Sequence, residues 1–293
     1  MYDLSALYEA ASVQDAVALR LAHPDAQIIA GGTDVLVQMR EGKRAGKALI
    51  SIFGLDEIRG ISMEADGTIR IGSLTSFSHI TKNPIIQQHI NVLGQAVDMV
   101  GGPQIRNAGT IGGNTCNGVT SADSASTLFA WDALVELTGQ NSKRVIPISE
   151  FYIKAGVVDL KSDELQTAIL IPKAAYEGYQ GHYIKYAMRE AMDIATTGCS
   201  VNVKLSADKQ TIVDARIAYG VAGPIPMRAV SAEAAVRGLP VSPETVALFG
   251  SKVTEDINPR DSWRASKAFR QHIAVELAKR CLTQSILLAG GSV

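Results

Sequence analysis

The sequence predicts an α+β chain in two domains, near residues 1–175 and 176–293. Three observations carry this. Short apolar runs alternate with capped amphipathic helices as far as about residue 171. A polar connector rich in Ala, Tyr and Gly, residues 172–181, then breaks that texture. Beyond it come three strand-like runs with partial alternation, and two helices close the chain. A length of 293 residues also fits about two domains at ~150 residues each.

Taken in order, Ser12 can cap a helix over 13–22, with Asp15 completing a capping-box-like start and Pro24 ending it. Gln27-Ile28-Ile29-Ala30 reads as a short buried strand stopped by Gly31-Gly32, and further strands are expected over 47–52 and 69–77. From Pro84, residues Ile86, Ile90, Leu93, Val97 and Val100 keep spacings of three and four. That predicts one amphipathic helix, ended by Gly101-Gly102-Pro103. A helix over about 124–131 and strands near 134–139, 144–149 and 164–171 follow. Past the connector, runs 183–189, 200–205 and 212–219 predict an antiparallel sheet. Ser242-Pro243-Glu244 opens one helix with a cap, a first-turn proline and an acid; the last runs from Asp261 to about Leu288. There Phe269, Ile273, Leu277 and Cys281 recur at steps of four, which reads as core packing.

Composition excludes several functions. Lys+Arg is 28 against Asp+Glu 29, a net charge of −1, so the basic surplus of a general nucleic-acid binder is missing and there is room only for a local basic stripe. No run approaches the ~18 apolar residues of a membrane span. The start Met1-Tyr2-Asp3-Leu4 lacks the basic and apolar stretches of a signal peptide, so a cytoplasmic location is expected. Cys116, Cys199 and Cys281 are odd in number, far apart and without a CxxC pair. They read as idle thiols of a reducing compartment, not as a disulfide frame or metal site. The five histidines form no HExxH-type cluster, so no metal is expected in this chain.

Two segments stand out chemically. Residues 27–34, Gln-Ile-Ile-Ala-Gly-Gly-Thr-Asp, carry a strand into glycines and a hydroxyl; residues 104–114, Gln-Ile-Arg-Asn-Ala-Gly-Thr-Ile-Gly-Gly-Asn, repeat the theme. Glycines admit close backbone approach and φ > 0, so successive N–H groups can converge on an anion, and Thr33 and Thr110 add hydroxyls. A pyrophosphate held mainly by neutral dipoles suits such loops; a side chain at Gly32 or Gly112 would then occupy the backbone-to-phosphate contact. Either loop alone more often serves a tight turn. Neither matches GxGxxG or the GxxxxGK[ST] phosphate loop.

Together, Ala30-Gly-Gly-Thr-Asp34 and Gln104-Ile-Arg-Asn-x-Gly-Thr-Ile-Gly-Gly-Asn114 resemble the two FAD signatures of the medium subunits of molybdenum hydroxylases, the xanthine dehydrogenase and carbon monoxide dehydrogenase group. Within it the chain is most similar to bacterial xanthine dehydrogenase FAD-binding subunits. Supporting matches are Ser121-Ala-Asp-Ser124, Asp163-Glu-Leu165, Tyr183-Ile-Lys185, Ser262-Trp-Arg-Ala-Ser266 and Phe269-Arg270. The resemblance implies an FAD-binding PCMH-type (vanillyl-alcohol-oxidase-like) domain in two α/β subdomains over 1–175, then a carbon monoxide dehydrogenase flavoprotein-like C-terminal domain over 176–293.

It also implies roles. Gln27, Ile28, Ile29, Ala30, Gly31, Gly32, Thr33 and Asp34 would wrap the FAD pyrophosphate; Gly109, Thr110, Ile111, Gly112, Gly113 and Asn114 would line the phosphate and ribityl region. Asp123 matches an acid that contacts the cofactor, though by itself it reads as a helix N-cap. Leu165 matches a position packing on the flavin, though a strand leucine is ordinarily core. Lys185 matches a lysine at the isoalloxazine edge, though it could equally be a solvated strand lysine. Val100 occupies the place of an aromatic that lies beside the flavin in animal enzymes, and a valine cannot stack. Arg189-Glu190-Ala191-Met192-Asp193 stands where those enzymes carry a charged loop near their NAD site. A cysteine-bound cluster, as in benzoyl-CoA reductase-type relatives, has no ligands here.

The implied function is electron transfer within a three-subunit FAD-dependent oxidoreductase. Electrons would pass from [2Fe–2S] centres of a small subunit through FAD to NAD⁺, while a molybdopterin-binding large subunit hydroxylates the substrate, xanthine first among purines. No catalytic residue is assigned to this chain. The alternatives are the same role for nicotinate, an aldehyde or another purine, a flavin-free scaffold that kept the fold, and a stand-alone flavin oxidoreductase.

Overall fold

The structure, a computed structural model, describes residues 3–293; Met1 and Tyr2, read above for a missing signal peptide, lie outside the described residues. Ser12 does cap helix Val13–Ala22, its side chain accepting from the Asp15 N–H. The reciprocal arm differs from a standard capping box, because the Asp15 carboxylate accepts from Ala11 N–H at 2.8 Å. The helix lies on a three-stranded parallel sheet with Leu49–Ser51 between Leu7–Glu9 and Gln27–Ile29. Val13, Ala16 and Val17 are buried with Ile52, Leu55, Ile58, Leu74 and Leu165 in a small core.

A second, antiparallel sheet runs in the order Ile61–Met63, Ile69–Gly72, Leu165–Ile171, Leu134–Thr138, Lys143–Pro147. The strand expected over 69–77 stops at Gly72, and helix Phe77–Lys82 begins after a turn, capped by Ser76. The single helix expected from Pro84 is two, Pro84–His89 and Asn91–Asp98, broken at Ile90 with φ −141°. Ile86, Ile90, Leu93 and Val97 are all buried in one core regardless. The spacing recorded a shared buried face, which two short helices present as well as one long one.

The third sheet is antiparallel, in the order Gln180–Tyr186, Thr197–Leu205, Ile212–Gly220, Met227–Arg228. Helix Lys267–Leu288 packs across it and buries Leu277, Cys281 and Leu282 against Val201, Val203 and Ile217. That helix starts six residues later than expected. Ser266 is its cap, and Asp261 instead accepts from the Lys267 N–H at 2.6 Å. Phe269, expected in the core, faces outward.

Candidate functional site

The two glycine loops meet face to face. The first leaves strand Gln27–Ile29 and turns into helix Val35–Arg40. The second joins helix Pro103–Ala108 to helix Ile111–Cys116, which Thr110 caps by accepting from Gly113 N–H. A Cβ built on Gly31 would lie 1.7 Å from the carbonyl oxygen of Ala108, so only glycine lets the loops touch. The Asn117 amide donates to the Asp34 carboxylate across the same seam.

The loops differ in what their N–H groups do. In the second, Ile111 N–H donates to Thr75 O at 3.0 Å, Gly112 N–H to Ser73 O at 2.9 Å, and Asn114 N–H to Thr110 O at 3.0 Å. These amides are consumed by the protein, which corrects the expectation that they converge on an anion. Gly112 is needed for packing: an added Cβ would sit 2.5 Å from Ser73 Cβ and 2.8 Å from its carbonyl oxygen. In the first loop the amides of Gly31, Gly32, Thr33 and Asp34 donate to no other group among the described residues. Gly32 has φ +72°, the left-handed turn that swings such amides toward one side.

A cleft of about 300 Å³ opens there, lined by Gln27, Ile28, Ala30, Gly31, Gly32, Thr33 and Asp34 from one wall and Gly109, Thr110, Gly112, Gly113, Asn114 and Leu165 from the other. Ile29 and Ile111 do not line it, and Ile111 is wholly buried core. Several lining residues had no signal in the sequence. Arg20 and Arg44 bring two guanidiniums to the cleft; Arg20 is held by donating to Glu164 O at 2.7 Å. Ser73 and Gln166 line it too, and Ser73 Oγ and Gln166 Nε2 are buried with no partner in the protein. Gln166 Oε1 accepts from Thr115 Oγ1 and from the Cys116 thiol. Unclaimed amides, two orphaned polar atoms and two arginines fit a long polar anion with an apolar end against Leu165.

Val100, Asp123 and Lys185 form a second cluster outside the cleft. Lys185 Nζ donates to Asp123 Oδ2 at 2.8 Å and to Met99 O, beside Val100, at 3.0 Å. Tyr183 donates its hydroxyl to Asp123 Oδ1 at 2.8 Å. The Lys185 and Asp123 side chains are only 7% and 6% exposed, so Lys185 is no solvated surface lysine. Asp123 begins helix Asp123–Ala130 without capping it, because its carboxylate turns to these two donors. Burial raises the Asp123 carboxyl, while Lys185 and Tyr183 pull it down in part. Ser124 Oγ to Asn114 Oδ1, 2.5 Å, ties this cluster to the cleft.

Comparison with known proteins places this geometry. Residues 3–174 match the family described as FAD binding domain in molybdopterin dehydrogenase, and residues 182–285 match the CO dehydrogenase flavoprotein C-terminal domain. The chain is 39% identical to the xanthine dehydrogenase FAD-binding subunit of Escherichia coli O157:H7 over 100% of both chains. It is 32% identical to the nicotinate dehydrogenase FAD-subunit of Eubacterium barkeri, over 75% of this chain and 74% of that one. A solved chain of carbon monoxide dehydrogenase from Hydrogenophaga pseudoflava superposes with a TM-score of 0.92 at 29% identity, covering 99% of each. A cleft with unclaimed amides on a glycine turn, set in a fold and sequence shared along the whole chain, makes this protein a member of the FAD-binding medium subunits of the molybdopterin hydroxylases.

Proposed function

We propose that the chain is the electron-transfer subunit of a xanthine dehydrogenase-type hydroxylase, taking electrons from the [2Fe–2S] centres of a small subunit and delivering them to NAD⁺. A molybdopterin-binding large subunit would hydroxylate the substrate, in the cytoplasm and in purine metabolism. Residues 1–175 are the FAD-binding unit in this reading and 176–293 the second domain. The observation that carries it is the row of unclaimed amides from Gly31 to Asp34 beside the orphaned Ser73 and Gln166 atoms. Full-length similarity to an FAD-binding subunit named for xanthine supports the substrate class; the nicotinate relative, matched over three-quarters of the chain, supports nicotinate as the alternative substrate.

FAD, when bound, supplies exchange between one-electron and two-electron carriers. The chain's share is to hold, orient and tune it. The first-loop amides and the Thr33 hydroxyl would hold the pyrophosphate, with Arg20 and Arg44 adding positive charge at the cleft. The second loop shapes the opposite wall through Thr110, Gly113 and Asn114. Leu165 keeps water off its stretch of the wall. In this reading the Asp123–Lys185 pair, seated by Tyr183 and Met99 O, would turn a buried ammonium toward the flavin, and positive charge there would favour the electron-rich form of its ring.

An absorbance spectrum of the purified chain, repeated after anaerobic NADH, tests this. Bands near 450 nm that bleach are expected. Bands that persist would remove NAD⁺ as acceptor. Absence of bands after added FAD and partner subunits would leave only a scaffold.

A further inference from the structure

The segment 258–270, where a sequence motif stood out without a role, gathers hydrogen-bond donors that lack acceptors among the described residues. Arg270 is 3% exposed and Thr196 1%, yet Arg270 Nε and the Thr196 hydroxyl are both buried without a partner. They share one spot, because a terminal nitrogen of Arg270 donates to the Thr196 carbonyl. The other terminal nitrogen donates to Ser262 Oγ at 2.8 Å, and Arg264 N–H donates to the same oxygen at 3.2 Å. Ser262 Oγ is thus an acceptor twice over, and its own proton is spare. Arg270 thereby pins the turn that Ser262 N–H closes on Ala265 O at 3.0 Å. Buried polar groups are ordinarily paired, so orphaned donors gathered at one place mark an acceptor that the chain itself does not supply.

The charges point the same way. Burial, then the charges of Arg260 and Arg264, lower the basicity of Arg270, so three guanidiniums act on one neighbourhood. No carboxylate lies within ion-pair distance of any of them among the described residues. The one acid of the segment, Asp261, accepts from the Lys267 N–H at 2.6 Å. The Arg264 guanidinium lies 4.2 Å over the exposed Trp263 ring. The 22-residue helix Lys267–Leu288 adds its positive end, where Ser266 Oγ takes the Phe269 N–H and the Ala268 N–H is unclaimed. A guanidinium withdrawn from water, beside two more and without a counter-charge, is strongly unfavourable until an anion joins it.

We infer that this turn binds a small oxyanion of the phosphate class, seated between Arg260, Arg264 and the buried donors of Arg270 and Thr196. Guanidinium forks match such an oxyanion in shape, and hydroxyls with a helix N-terminus are its common further partners. The depth of the orphaned donors selects a free ion, since Thr196 lies below the surface that a folded partner's side chains would meet. The site requires neither bound flavin nor another subunit, so it stands apart from the function proposed above.

Trp263 is the reporter, because the other tryptophan of the chain, Trp131, is buried in the core. The purified full chain is titrated with sodium phosphate at constant ionic strength, following tryptophan fluorescence and melting temperature. A saturable fluorescence change and a rise in melting temperature are expected, with slower hydrogen exchange over residues 258–266. Arg264→Gln and Thr196→Val should each weaken phosphate binding at least about tenfold while flavin content stays unchanged. Lys209→Gln, which removes one positive charge from an exposed turn elsewhere, should bind phosphate as the wild type does. A phosphate response no greater than that to chloride at equal ionic strength overturns the inference, as does a response that either site variant keeps undiminished. Competitive displacement of the phosphate signal by NAD⁺ also overturns it, since the cluster would then belong to the acceptor's site.

Discussion

Replacing Gly31 by alanine tests the junction on which the cleft depends. The added Cβ would start 1.7 Å from Ala108 O, and real Cβ contacts essentially never fall below 3.0 Å, so the loops must part by about 1.3 Å, the difference of those distances. Backbone lies on both sides, so no side chain can swing away to absorb the strain. Overpacking of this kind costs roughly 1–3 kcal/mol. Where that cost falls on the loop geometry that holds the cofactor, flavin affinity drops by roughly 5- to 150-fold. The assay is a fluorescence titration of the flavin-stripped chain with FAD, with thermal unfolding of the same samples. Gly32→Ala is the comparison. Its Cβ would meet the flexible Leu36 side chain at 3.0 Å, and the left-handed φ of +72° costs about 1 kcal/mol, so a smaller loss is expected. A Gly31→Ala chain that binds FAD within twofold of the wild type, at the same melting temperature, would refute the claim that loop contact shapes the site.

Other perturbations probe the remaining groups. Lys185→Met should shift the flavin potential downward and destabilise the fold by about 3–5 kcal/mol, because Asp123 stays buried without its partner. Adding Asp123→Asn should recover most of the stability but not the potential; recovery of both in a redox titration would make Lys185 structural only. Burial alone would raise the Glu136 carboxyl, yet Arg70, Lys143 and Thr167 hold it down to about 2. Its stabilising contribution is therefore present above the unfolded-state value near 4.5 and lost as pH falls toward 2. Urea unfolding at pH 6 and pH 3 should show Glu136→Gln much less stable than wild type at pH 6, with a smaller but still measurable deficit at pH 3 that closes only as pH approaches 2. Burial pushes the Cys116 thiol up to about 12, so iodoacetamide at pH 8 should leave it unmodified in the folded chain, as intact-mass measurement would show. Rapid labelling at Cys116 would mean the cleft opens far more than its packing implies.

Local features were readable in the chain itself. The Ser12 and Ser242 caps, the strand leading into Gly31-Gly32, and the apolar residues of 86–97 each act through neighbours within a few positions. The break at Ile90 was not readable, because a periodicity of three and four registers which face is buried and says nothing of a kink between two helices sharing it. Asp261 looked like a helix start because an acid before a helix usually caps it; the turn pinned by Arg270 moved that start to Ser266.

By itself the sequence determined the α+β class, the two glycine loops and the resemblance that identifies an FAD-binding family, since these rest on patterns written along one dimension. Only the tertiary structure decided which loop has amides to spare. The partners that consume the second loop's amides, Ser73 and Thr75, come from a strand end more than thirty residues away. Only it assembled Arg20 with Gln166, and Asp123 with Tyr183 and Lys185, whose separations in sequence carry no periodic signal. The physical reason is the same in each case: hydrogen bonds and ion pairs are satisfied in space, and a chain that can fold has many sequences of intervening residues that bring the same groups together.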